Sequence, residues 1–199
     1  MLYYVVIGLA ISEALHNAFF KDSKFLGAGA FWAGNLPKML LLFALLLTIF
    51  RFVHGASMHL GVLHPGKRYK HLVDFVGFFC QASVFYLMAL SLEITTLFSC
   101  LFAILLVGDT VWLIVIKKGY HKWDKTAKQW LWSNGLIIVA LIAVYLLSGW
   151  IMNIVGTALI LAVAAIATCA DYRMNWDFYF PLEEPVKAEK GDTAQLPDV

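Results

Sequence analysis

Residues 72–91 (LVDFVGFFCQASVFYLMALS) and 96–116 (TLFSCLFAILLVGDTVWLIVI) are separated only by residues 92–95 (LEIT), and their reading decides the fold. A helix crossing a hydrocarbon core of about 30 Å needs about 20 mostly apolar residues. The two stretches together are too long for one crossing and fit two, with a tight turn around Glu93, so they predict a helical hairpin. Lipid offers the backbone no hydrogen-bond partners, so a spanning segment satisfies itself as a helix. A β-barrel would instead show alternating short strands, and these runs are continuously apolar.

Working outward, the same pattern recurs. One apolar run covers residues 2–20. A second starts near Leu36, with Pro37 in its first turn, where a missing N–H does no harm. It reaches the membrane edge near His54 and continues toward Leu63, where His64-Pro65-Gly66 stops it. Residues 129–147 and 151–170 form a further pair, joined at Ser148-Gly149-Trp150. Hydrophobic residues make up 61% of the chain and charged residues 14%, and mean hydropathy is +0.77. A soluble domain is nearer half apolar and a quarter charged, so lipid must cover the excess. The sequence thus predicts an all-α polytopic bundle of about six transmembrane helices, arranged as three helical hairpins. The first run lacks a basic leader and is broken by Glu13, His16 and Asn17, so it reads as a retained helix.

Three parts follow. Residues 1–170 form the transmembrane domain. Residues 171–181 are an aromatic juxtamembrane segment, and 182–199 an acidic, disordered cytoplasmic tail. Cys80, Cys100 and Cys169 lie in apolar runs without paired spacing and read as small buried residues.

Basic residues set the expected orientation. Arg51, Lys67, Arg68, Lys70, Lys117, Lys118, Lys122, Lys125 and Lys128 fall on one side, against Lys21, Lys24 and Lys38 on the other. The richer side is expected to be cytoplasmic, which places both termini there and the protein in the plasma (inner) membrane.

Ionisable groups are costly in hydrocarbon, so those within the spans are the informative residues. Glu13, His16 and Asn17 share one face of the first helix at i, i+3 and i+4. With Asn153 at similar shallow depth and Glu93 at a helix tip, they form a candidate substrate or ion pocket. Glu13 is the proton-coupling candidate, the bland alternative being capping and interhelix hydrogen bonds. A second layer lies near the inner face. Arg51 and Asp109 sit about 22 and 20 Å from the outer end, matching an ion pair that Asp74 can share, with His54 one turn after Arg51. These four are inner-gate candidates, or a lock between helices. Gln81 and Thr110 lie between the layers.

Other chemistry fails on spacing. His16 and His54 are more than about 20 Å apart along the normal and cannot share a haem. His54, His59 and His64 recur every five residues, about 140° apart around a helix, which suits no single metal. No dinucleotide fingerprint, phosphate loop or nucleophile elbow occurs. Neither a cofactor nor a metal is expected, and nothing points to nucleic acid. The sequence leaves three functions open: a small-solute or ion/proton-coupled transporter or channel, an accessory or sensor subunit of a membrane complex, and, third, a membrane-embedded lipid-acting enzyme. The expected partners are the lipid bilayer and either a second copy of the chain or a membrane partner protein.

Overall fold

The computed structural model describes residues 2–21, 24–25, 28–62, 68–120, 125–147 and 153–181. Six helices are long and apolar enough to cross a membrane: α1 (Leu2–Phe19), α2 (Ala28–Val62), α3 (Arg68–Leu90), α4 (Thr95–Tyr120), α5 (Lys125–Leu147) and α6 (Asn153–Met174). A one-turn helix, α7 (Trp176–Tyr179), follows α6. Two two-residue strands, β1 (Phe20–Lys21) and β2 (Lys24–Phe25), pair antiparallel after α1. The chain is an all-α membrane bundle, as its sequence predicts.

Large apolar side chains stay exposed on every spanning helix, among them Leu9, Phe50, Phe75, Val111, Leu136 and Ile166. Water would not tolerate such a surface, and lipid does. Inside, Leu41, Leu45, Phe85, Met88, Phe98 and Phe102 are fully buried and fill the centre of the bundle.

Helix α3 packs beside α4 and α5 beside α6, so two hairpins are made of sequence neighbours. Helix α1 instead leans mainly on α3, and α2 mainly on α6. The reason lies in side-chain size. Ala10, Ala14 and Ala18 repeat every four residues on α1 and are completely buried. Such a stripe of small residues lets two helices approach closely. Tyr3 against Phe78, with ring centroids 5.5 Å apart, and a hydrogen bond from Asn17 Nδ2 to the Ala89 carbonyl at 3.2 Å fix the two ends of that contact. Around the bundle the order is therefore α1, α3, α4, α5, α6, α2.

Three expectations change. Helix α2 begins at Ala28, not near Leu36, so Pro37 sits within the helix and removes one of its backbone hydrogen bonds. Helix α6 runs through residues 171–174, so the helix continues into the segment read as juxtamembrane. The three cysteines are exposed on the outer faces of their helices and not in the core: in lipid an outward thiol meets an apolar medium, so hydrophobic runs cannot separate the two faces. His64, His121, Lys67, Lys122, the Ser148-Gly149-Trp150 junction and the 182–199 tail lie outside the described residues.

Candidate functional site

The polar residues fall into two groups separated by apolar packing. On α2, Lys38 marks one group and Arg51 the other, about 20 Å apart along the helix. Between them lies the block of Leu41, Leu45, Phe85 and Phe102.

The shallow group is built at the end of α1. Asn17 Nδ2 donates to Glu13 Oε1 at 3.1 Å, and Lys38 Nζ donates to the Asn17 carbonyl at 3.1 Å and pairs with Glu93 Oε1 at 2.6 Å. Glu13 and Asn17 are thus bonded to each other along one face of α1. The exposed His16 stacks on Phe20 with centroids 5.1 Å apart. Asn153 accepts from Thr95 Oγ1 at 2.6 Å, linking α6 to α4. The contacts of His16 and Asn153 thus lie with other residues, not with Glu13.

The deep group is larger and centres on Asp171. This carboxylate is 1% exposed and takes four donors. Arg51 Nε and the Tyr179 hydroxyl donate to Oδ2, each at 2.8 Å. Trp130 Nε1 at 2.8 Å and Asn175 Nδ2 at 2.7 Å donate to Oδ1. One acid thereby ties α2, α5, α6 and α7 together. Charge-assisted bonds of this kind are the strong ones. Burial, and then the Asp171 carboxylate beside it, which accepts its hydrogen bond, push the Tyr179 phenol well above its usual range.

Asp109 faces the same interior from α4. Gln81 Nε2 donates to its Oδ1 at 2.7 Å and Asn134 Nδ2 to its Oδ2 at 2.7 Å. No cation is bonded to it among the described residues. The direct Arg51–Asp109 pair anticipated from matching depth is therefore not formed: Asp171 on α6 outcompetes Asp109 for the guanidinium. Asp74 does not share Arg51 either, since its Oδ1 lies 3.6 Å from His59 Nε2. His54 Nδ1 meets the Tyr172 hydroxyl at 2.7 Å, and its ring lies 4.8 Å from that of Tyr179.

Between Asp171 and Asp109 lies a cavity bordered by Arg51, Gln81, Trp112, Trp130 and Tyr179, with room of about 30 Å³ for water-sized occupants. A water needs roughly 10–15 Å³ on that measure, so the space has room for water. With both acids ionised, two negative charges face one guanidinium. One proton or one monovalent cation restores neutrality, which hydrocarbon surroundings strongly favour.

Asp171, Asn175 and Tyr179 repeat every four residues, as do Trp130 and Asn134 on α5. That spacing was the available signal for the residues the sequence reading missed. Among the described residues no cluster of three or more His, Cys, Asp or Glu could hold a metal.

No family model, curated protein or solved structure matches this chain. The fold and the site define it as an integral membrane protein with a buried, charged interior.

Proposed function

We propose that the protein is a proton-coupled transporter of a small solute, in which Asp109 takes up and releases the proton. The observation that carries this reading is the Asp109 carboxylate: buried, held by two neutral amides, bonded to no cation among the described residues, and bordering a water-sized cavity. A primary amide can serve either protonation state of a carboxyl, donating from its NH2 to the ionised form and, after flipping about its terminal bond, accepting on its carbonyl from the protonated form. A bonded arginine would fix the ionised state.

The Arg51–Asp171 pair serves as the gate on the inner side, and the apolar block between Lys38 and Arg51 closes the other. The reading places the side rich in Lys and Arg in the cytoplasm, with both termini there and the protein in the plasma membrane. Glu13 loses the coupling role to Asp109, because Glu13 lies with Asn17 and Lys38 beyond the apolar block.

The test is flux in proteoliposomes carrying an internal pH dye, screened with small polar solutes added outside. Wild type acidifies or alkalinises the interior with one class of solute, and Asp109→Asn, inserted and folded, does not. Equal proton movement in the two proteins would refute the assignment.

A further inference from the structure

Arg51, Gln81, Asp109 and Tyr179 on the walls of the central cavity are all buried, so the cavity is closed to solvent. At the end of the bundle far from Lys38, α7 does the closing. Gly55 lies about 26 Å along α2 from Lys38, and Tyr179 reaches it from the one-turn helix that follows α6. A Cβ on Gly55 would lie 3.5 Å from the Tyr179 hydroxyl and 3.7 Å from the Trp130 ring, so the tip of the phenol rests on the α2 backbone. Beside it, Phe178 meets Trp130 edge-on with ring centroids 5.2 Å apart, and Tyr179 stacks on Tyr172 at 4.4 Å.

Helix α7 is fastened unlike the helices it closes. It is four residues long, and a helix of one turn has no stability of its own. The chain bends away from α6 at Asn175, whose φ of −114° and ψ of 30° leave the helical range. Among the described residues, the side chains of α7 make one hydrogen bond to the bundle, from the Tyr179 hydroxyl to Asp171 Oδ2 at 2.8 Å. The rest of the grip is ring contact, and Trp176, Asp177 and Phe180 remain exposed. If Tyr179 lifts away, Asp171 still keeps Arg51, Trp130 and Asn175 as donors. The ion pair therefore outlasts the seating of α7, and the phenol recovers its hydrogen bond from water.

We infer that α7 is a hinged plug: it turns about Asn175, and lifting Tyr179 off Gly55 admits water to the polar interior from that end. The plug stands whether or not Asp109 carries a proton, because its test reads access to the cavity and no flux.

The experiment uses the full chain with Cys80→Ala, Cys100→Ala and Cys169→Ala as parent. One thiol is introduced by Ala56→Cys, at a cavity-lining position 5% exposed. In phosphatidylcholine nanodiscs both faces meet 2-aminoethyl methanethiosulfonate, a charged reagent that forms a disulfide with thiols reached by water, and mass spectrometry follows the rate. With Tyr179 in place the reaction should be slow, set by the fraction of molecules whose plug is lifted. Tyr179→Phe keeps the ring and loses only the bond to Asp171, so a static filler would leave the rate unchanged. A hinged plug lifts more often, and the rate should rise about tenfold, the value of one hydrogen bond to a charged group. Phe178→Ala loosens α7 from Trp130 and leaves all four Asp171 bonds; it should also raise the rate, and it serves should Tyr179→Phe fail to fold. A thiol at Ala44→Cys, fully buried in the apolar block and about 18 Å from Ala56 along α2, should stay unreactive throughout, which separates lifting of the plug from loosening of the bundle. The inference is overturned if either folded α7 variant labels like the parent, if Ala44→Cys speeds up in step with Ala56→Cys, or if Ala56→Cys with Tyr179 in place already reacts as fast as free cysteine.

Discussion

Replacing Asp171 by Asn changes one atom and removes one charge, yet it should be among the most damaging substitutions in the chain. The carboxylate accepts two bonds on each oxygen, from Arg51 and Tyr179 on one and from Trp130 and Asn175 on the other. An amide has one oxygen, so in either orientation two of the four donors face an NH2 group. The Arg51 side chain, 7% exposed, also loses its counter-charge. Breaking a buried ion pair from one side costs about 3–5 kcal/mol, and we expect a loss in that range for Asp171→Asn. Reversible unfolding by SDS in mixed micelles, followed by circular dichroism, measures it. A cycle with Arg51→Met should give a coupling of about 0.5–3 kcal/mol between the two positions. A loss below about 1 kcal/mol, or strict additivity in the cycle, would refute the claim that this pair holds α2 to α6.

Other predictions are narrower. Gly77→Ala should cost about 1–3 kcal/mol by overpacking and shift the Trp112 fluorescence, whereas Gly108→Ala, with open space around it, should leave both nearly unchanged in the same assay. Tyr179 holds its proton more tightly in the folded protein, so the unfolded chain ionises first. Its contribution is complete below about pH 10 and declines as pH rises above that, and a pH series of unfolding on Tyr179→Phe should lack this decline. Glu13→Gln should leave proton-coupled flux close to that of wild type, since the amide keeps an oxygen that can accept from Asn17; loss of flux in the liposome assay would return the coupling role to the shallow group.

Much of the fold was legible because hydropathy over 20 residues measures the quantity a bilayer selects. The pairing of helices was less so. Helices apolar on all sides carry little directional signal, and only the Ala10, Ala14 and Ala18 stripe marked the face by which α1 seeks α3. The start of α2 was missed because Pro37 resembled a first-turn proline, although the helix runs through it. At the site, Arg51 and Asp109 border one cavity, but depth along the normal, the basis for pairing them, says nothing about position around the bundle. The structure gives Arg51 to Asp171, which a hydropathy boundary at 170 had assigned to the segment beyond the membrane. Gln81 was visible as a lone polar residue in an apolar run. Its bond to Asp109, which Asn134 also bonds, was not, because the rotation of each helix about its own axis decides which polar side chains meet.

The central claim is that Asp109 exchanges a proton inside the folded bundle. Infrared difference spectroscopy across a pH titration tests it most directly, comparing wild type with Asp109→Asn in lipid. The account predicts a protonated-carboxyl band that rises and falls with pH in wild type and is missing from the variant. A pH-dependent carboxyl spectrum identical in the two proteins would contradict it.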